Sequence, residues 1–206
     1  FLVGKMDNLE DEFNVLLFVR RDIEKFTIPS YIKKIDKFAF DRCKLNRIDF
    51  EDGCKLTTID ENSFEFSLIE SISIPKSVTS IGNYAFSYCQ KLKTFEFSKN
   101  SKITSIDQKI FFYSEIEKII LPPQIEYLKG GFFNCLRNLK EISIPSSNRH
   151  FLFYNNSLLL GKSEENKSDE FDLLVFARRD IEHAIIPSSI KQICECAFVF
   201  SNKLRS

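Results

Sequence analysis

Short apolar clusters recur along the chain at a nearly constant spacing, each opening as apolar-x-x-apolar-x-apolar. They are Ile23/Phe26/Ile28, Leu45/Ile48/Phe50, Ile69/Ile72/Ile74, Leu92/Phe95/Phe97, Ile116/Ile119/Leu121, Leu139/Ile142/Ile144 and Ile181/Ala184/Ile186, with Leu204 starting another. The first six begin 22, 24, 23, 24 and 23 residues apart, which marks a repeat array. Alternation of the last two apolar positions predicts a short strand with one buried face. A second apolar pair follows each strand: Ile32/Ile35, Leu56/Ile59, Val78/Ile81, Ile103/Ile106, Ile125/Leu128 and Ile190/Ile193. Five residues after the second member stands a phenylalanine: Phe40, Phe64, Phe86, Phe111, Phe133 and Phe198. The residue just after the pair is Asp36, Asp60, Gly82 or Asp107, suited to a tight turn or the cap of a short helix. Each unit therefore reads as strand, turn, short helical turn and return. That is an α/β repeat of parallel strands.

Two flavours of unit alternate. One strand type ends in Pro29, Pro75, Pro122 or Pro187, where backbone pairing must stop and the coil must turn. The other ends in Phe50 or Phe97 and needs a longer connection. The array breaks after Pro145, where FLFYNNSLLLGK and FDLLVFARRD flank the polar stretch SEENKSDE. Asn155-Asn156 suits a tight hairpin turn, and the polar stretch reads as a solvated, mobile loop. The segment starting at Phe13 (FNVLLFVRRDIEKFTIP) matches the one starting at Phe171 (FDLLVFARRDIEHAIIP) at constant offset. The expectation is one continuous array: residues 1–22 close an irregular unit, 23–147 are regular repeats, 148–180 are a second irregular unit, and 181–206 begin the next block.

Composition narrows the function classes. Lys+Arg and Asp+Glu balance at 29 each, which excludes a nucleic-acid or anionic-membrane surface built on bulk charge. No apolar run is long enough to span a bilayer. The chain lacks an initiator Met and opens in mid-pattern, so it reads as a piece of a longer polypeptide.

Stacked repeats leave the non-core strand positions on an outward sheet face, the extended binding surface of such arrays. In column order this candidate face is Lys25/Thr27, Arg47/Asp49, Ser71/Ser73, Thr94/Glu96, Lys118/Ile120, Glu141/Ser143 and His183/Ile185. A simply solvated face would carry the same mixed charges.

No motif points to catalysis or to a cofactor. Cys43, Cys89 and Cys135 recur 46 residues apart, one per doublet of repeats. Two ladder steps of about 4.8 Å separate neighbours, beyond the roughly 7 Å Cα limit of a disulfide. They read as small buried residues, while Cys54 falls in a turn. Cys194-x-Cys196 with His183 has the wrong spacing and no fourth ligand for structural zinc. A Cys–His nucleophile fails for want of context around either His150 or His183. The carboxylates Asp36, Asp60 and Asp107 repeat at equivalent turns, which marks them as structural. Arg20-Arg21 and Arg178-Arg179 read as exposed strand-end charges, with an acidic-ligand role as the sharper alternative. Asn155 and Asn166 open N-glycosylation sequons, relevant only in a eukaryotic secretory pathway.

The motif LxxIxIPxxVxxIGxxAFxxC, seen in Leu139 to Pro145 and Val78 to Cys89, resembles the BspA-type (treponemal-type) leucine-rich repeat. Ile110 and Phe132 replace its usual small residue before Phe, the segment from Phe132 to Cys135 is slipped by one residue, and its glycine survives only at Gly82. The resemblance implies a right-handed leucine-rich-repeat solenoid with parallel strands and short helical turns, interrupted by a hairpin-like insertion. It also implies a non-enzymatic adhesion module of a cell-surface or secreted protein, with a protein or glycan ligand on a host or bacterial surface. An intracellular interaction scaffold of the same fold is the alternative.

Overall fold

A strand of four residues buries one face and leaves its backbone unpaired until a neighbour stacks on it. In this computed structural model that neighbour is the next repeat. The structure describes residues 1–6, 13–107, 109–128, 132–163, 166 and 168–205, with only the backbone of 134 and 135. Lys25–Ile28 pairs in parallel with Arg47–Phe50. Ser71–Ile74, Thr94–Phe97, Lys118–Ile120 and Glu141–Ser143 pair in parallel in that order. Equivalent residues face each other across these pairs, as Ile72 faces Phe95 and Phe95 faces Ile119. The corner after each proline-ended strand is one backbone turn. Ile32, Val78, Ile125 and Ile190 donate to the carbonyls of Pro29, Pro75, Pro122 and Pro187 at 3.1–3.2 Å.

The second apolar pair ends in a strand of its own. Lys34–Ile35, Thr58–Ile59 and Ser80–Ile81 form a parallel ladder, as do Ser105–Ile106 and Tyr127–Leu128. Two residues are too few to show a period, which is why the pattern concealed this second side of the coil.

The third side differs from the expected helical turn. No α-helix occurs among the described residues, and one 3₁₀ turn spans Phe132–Cys135. In its place run consecutive backbone turns, closed by Ala39 to Asp36, Asp41 to Phe38 and Cys43 to Phe40 bonds in the first coil. Phe38 and Arg42, Asn62 and Phe66, and Tyr84 and Tyr88 adopt positive φ of 53–59°. These left-handed residues, four apart, stop helix propagation and turn alternate amides toward the next coil. Phe40 donates to Ser63, Phe64 to Ala85 and Phe86 to Ile110, at 2.7–3.0 Å. The result is a turn ladder, hydrogen-bonded between coils as a sheet is.

Inside these three sides lies the phenylalanine column. Phe40 stacks on Phe64 at 4.6 Å and Phe64 on Phe86 at 4.9 Å, nearly parallel. Phe111 continues it at 6.3 Å, tilted, as Phe95 wedges in from the strand side. The slip at residues 132–135 admits both phenylalanines: Phe132 lies 5.9 Å from Phe111, and Phe133 reaches Phe176 of the interrupting unit at 4.5 Å. At Gly82 the coils come too close for a side chain. An added Cβ would lie 2.5 Å from the Glu61 amide nitrogen, so glycine survives where the equivalent positions hold Asp.

The interrupting unit is a sheet that walls off the array. Phe151–Tyr154 and Leu158–Gly161 form the antiparallel hairpin, turning at Asn155 and Asn156, both at positive φ. Leu173–Ala177 pairs antiparallel with Leu158–Gly161 on one side and parallel with Gln192–Ile193 on the other. Both faces are apolar, as in strands buried from two sides. Leu159 and Phe176 join the main core, while Leu158, Leu160 and Leu174 start a second cluster with Ala197. Of the polar stretch 163–170, residues 164, 165 and 167 lie outside the described residues. The strand expected over 181–186 is absent. Its equivalent Lys25–Ile28 is made a strand by Arg47–Phe50, and 183–186 has no such neighbour in this sequence.

Candidate binding surfaces

Parallel register brings twelve of the fourteen candidate positions into two outward columns on the first ladder. Lys25 lies beside Arg47, Ser71 beside Thr94 and Lys118 beside Glu141. Thr27 lies beside Asp49, Ser73 beside Glu96 and Ile120 beside Ser143. The ladder breaks between Arg47–Phe50 and Ser71–Ile74, so the columns form two runs. His183 and Ile185 stand apart from them, outside any strand, and Ile185 is 79% exposed. Two ion pairs lie within the face: Lys118 with Glu141 at 2.8 Å and Arg47 with Asp49 at 2.9 Å. Beside it, Glu117 bridges Lys93 and Lys140, both at 2.9 Å, and those two ammonium groups hold its carboxyl below the ordinary value. The centre of the face is left to the small hydroxyl residues Ser71, Ser73 and Thr94.

A second exposed surface, on the turn ladder, escaped the sequence reading. Arg42, Phe66, Tyr88 and Tyr113 each stand two residues beyond a column phenylalanine, all at φ of 53–56°. The Arg42 guanidinium lies 4.3 Å above Phe66, Phe66 stacks on Tyr88 at 4.6 Å, and Tyr88 on Tyr113 at 5.3 Å. Phe112 meets Tyr113 edge-on at 4.5 Å and Tyr84 at 5.8 Å. A left-handed backbone costs an ordinary residue about 1–2 kcal/mol, and each ring pair returns about 0.5–1.5 kcal/mol. Asn adopts this backbone conformation at lower cost, as Asn62 does four residues before Phe66 in the same coil. The legible signal was the recurrence of an aromatic residue two places after the column Phe in four repeats: Phe66, Tyr88, Tyr113 and Phe200.

The arginine pairs divide their roles, which corrects the expectation that both are exposed. Arg20 and Arg178 do face solvent, tied to Asp22 and Asp180 at 2.5 and 2.6 Å. Their successors turn inward to cap carbonyls of the turn ladder. Arg21 donates to the carbonyls of Ala39 and Phe38 at 2.9 and 3.0 Å. Arg179 donates to Ala197 at 2.9 Å and, across the interruption, to Phe133 at 3.3 Å. It lies over the Phe176 ring, and burial lowers its pKa to about 10. Asn148 performs the complementary task where the chain leaves the array. Its amide donates to the carbonyls of Pro123 and Ile125 while its oxygen accepts from the amides of His150 and Phe151.

Among the described residues the cysteines form no disulfide. Cys43 and Cys89 are buried free thiols, and Cys54, Cys194 and Cys196 are also unpaired; the Cys135 side chain lies outside the described residues. Burial pushes the Cys89 thiol up to about 12 despite its contacts with Ser67 and the Phe64 carbonyl. Among the described residues no group of three His, Cys, Asp or Glu could hold a metal. No helix among them is long and apolar enough to cross a membrane. Asn155 is exposed at the hairpin tip, whereas Asn166 spends its amide on the Glu170 carbonyl and its oxygen on Ser168.

The family of BspA type leucine rich repeat regions matches residues 12–134, 57–170 and 100–205, in six copies. It is a repeat family, not a catalytic one. Among solved structures, the pneumococcal vaccine antigen PcpA is similar at 30% identity and a TM-score of 0.77, over 88% of this chain and 44% of PcpA. A leucine rich cell surface protein of Faecalibacterium prausnitzii shares the fold at 18% identity and a TM-score of 0.59, over 89% of this chain and 60% of its own. So does a leucine-rich repeat protein of Eubacterium ventriosum, at 18% identity and a TM-score of 0.63, over 89% and 54%. The chain thus spans about half the length of these structures. No curated protein matches it in sequence.

Proposed function

Because the chain belongs to the BspA-type leucine-rich repeat family, we propose that it is a non-enzymatic recognition module of a cell-surface or secreted protein. It holds a protein or glycan ligand against the outward face of its first strand ladder. One observation carries this reading: in-register coils fix that face as a regular array centred on the short side chains Ser71, Ser73 and Thr94, with Lys118–Glu141 and Arg47–Asp49 paired within it. A ligand meets a surface that has little left to reorganise. The names of two similar structures, a vaccine antigen and a cell surface protein, support display outside the cell.

Two experiments test it. Brief proteolysis of intact cells is expected to remove the epitopes of this segment; a segment that survives until lysis contradicts surface display. On an array of glycans and extracellular-matrix proteins, the purified chain is expected to bind a ligand that Thr94→Arg/Glu96→Arg abolishes. Undiminished binding by that variant overturns the strand face as the site.

A further inference from the structure

We infer that the turn ladder is a second binding surface, shaped for an extended acidic segment of a partner protein. The inference rests on the reading of the chain as a recognition module, but it assigns a different face and a ligand chemistry. Phe66, Tyr88 and Tyr113 are aromatic where the left-handed backbone favours Asn or Gly, and Tyr113 is 54% exposed. Neither the turn nor the core calls for them, and strained residues of this kind cluster where a protein does its work. Tyr and Arg are residue types that anchor partners, and here Arg42 and Tyr113 are exposed while Phe66 and Tyr88 are half-buried beside them.

The geometry also selects the ligand. Ring faces are consumed by stacking along the ladder, at 4.6 and 5.3 Å, so a sugar ring finds an open face only at its end. What the ladder presents along its length is ring edges, which are electropositive, and tyrosine hydroxyls, which donate. The charges around it are unequally satisfied. Glu65 accepts from the Asn62 amide at 2.7 Å, and Glu115 is held by Arg137 at 2.6 Å and by Asn138. Of the cations, Arg42 reaches a carboxylate only at 3.9 Å, Lys109 lies 5.8 Å from the Tyr84 ring, and Lys91 makes no ion pair among the described residues. With Glu115 and Arg137 cancelling each other, Arg42, Lys91 and Lys109 outnumber the carboxylates Asp41 and Glu65 among these groups, which leaves a net positive charge. A chain of carboxylates interleaved with apolar side chains complements such a surface.

The test uses the full chain and fluorescent dodecapeptides alternating Asp with Val, Lys with Val or Ser with Val, followed by anisotropy. The Asp/Val peptide is expected to bind saturably and to weaken with salt. Tyr88→Ala/Tyr113→Ala and, separately, Lys91→Glu/Lys109→Glu are each expected to raise its Kd about tenfold or more. The lysine variant leaves the aromatic stack intact and decides the matter if the tyrosine variant fails to fold by circular dichroism. Thr94→Arg/Glu96→Arg on the strand face is expected to bind this peptide as the unaltered chain does. Absence of saturable binding overturns the inference, as does binding indifferent to both ladder variants. Loss in the strand-face variant alone overturns it while leaving the proposed function standing. Heparin that binds through Lys91 and Lys109 while the acidic peptide does not bind assigns the ladder to anions of another class and also overturns it.

Discussion

The stretch from Phe13 to Phe40 and the stretch from Phe171 to Phe198 share a sequence grammar and differ in their neighbours. In the second, a coil precedes it: Phe176 is fully buried on Phe133, whereas its equivalent Phe18 is 40% exposed. In the first, coils follow it: Ile35 is fully buried, whereas its equivalent Ile193 is 52% exposed. Lys25–Ile28 is a strand and the equivalent 183–186 is not. Local sequence proposes the elements here, and stacking decides which of them form and which side chains count as core.

Matched substitutions in the two copies give the largest contrast. Phe176→Ala is expected to cost about 3–5 kcal/mol in urea unfolding, and Phe18→Ala only about 1 kcal/mol, in proportion to the area each buries. Equal costs would show that stacking does not set the core. Ile35→Ala against Ile193→Ala repeats the test from the other side, at about 2–4 kcal/mol against less than about 1 kcal/mol. Arg179→Ala is expected to cost about 2 kcal/mol and to speed hydrogen exchange on both sides of the interruption, since it ties residues 133 and 197 together. Arg21→Ala should loosen only its own coil, and Arg179→Lys should not restore the join, because two carbonyls need the guanidinium fork. Gly82→Ala is expected to cost about 1–3 kcal/mol, as its Cβ meets backbone at 2.5 Å.

The smallest effect is a pH dependence within the stacked region. Cys89 is held neutral to about 12 in the folded chain against an ordinary value of 9.0. Its contribution is therefore complete below pH 9 and declines as pH rises toward 12, when the unfolded thiol ionises and the folded one does not. Cys89→Ala should flatten that alkaline limb of the stability curve. In the folded protein at pH 8, Cys89 should resist alkylation while the half-exposed Cys54 reacts; an equal rate at both would contradict its burial.

Much of this was legible because it repeats. The strand positions, the phenylalanine column and the hairpin at Asn155-Asn156 each follow from spacing and turn chemistry alone. Three features did not, each for a physical reason. Strands such as Lys34–Ile35 are too short to express a period. The left-handed aromatics contradict local backbone preference, so propensity pointed to a helical turn instead. Arg179 reads as a surface charge in any sequence, and only the carbonyls of Phe133 and Ala197 draw it inward. The strand-face columns were legible residue by residue, except at His183 and Ile185, where the neighbour that makes a strand is missing from the sequence.

Disulfide trapping across the first ladder measures the stacking most directly. Ser73 and Glu96 are register partners on adjacent coils, and Ile120 is the next partner of Glu96. Ser73→Cys/Glu96→Cys, with Cα atoms about 5 Å apart, should form an internal disulfide under mild oxidation. Ser73→Cys/Ile120→Cys, two steps or about 10 Å apart, should stay reduced. Efficient bridging of the second pair, or failure of the first in a folded chain, would contradict the coil-on-coil register.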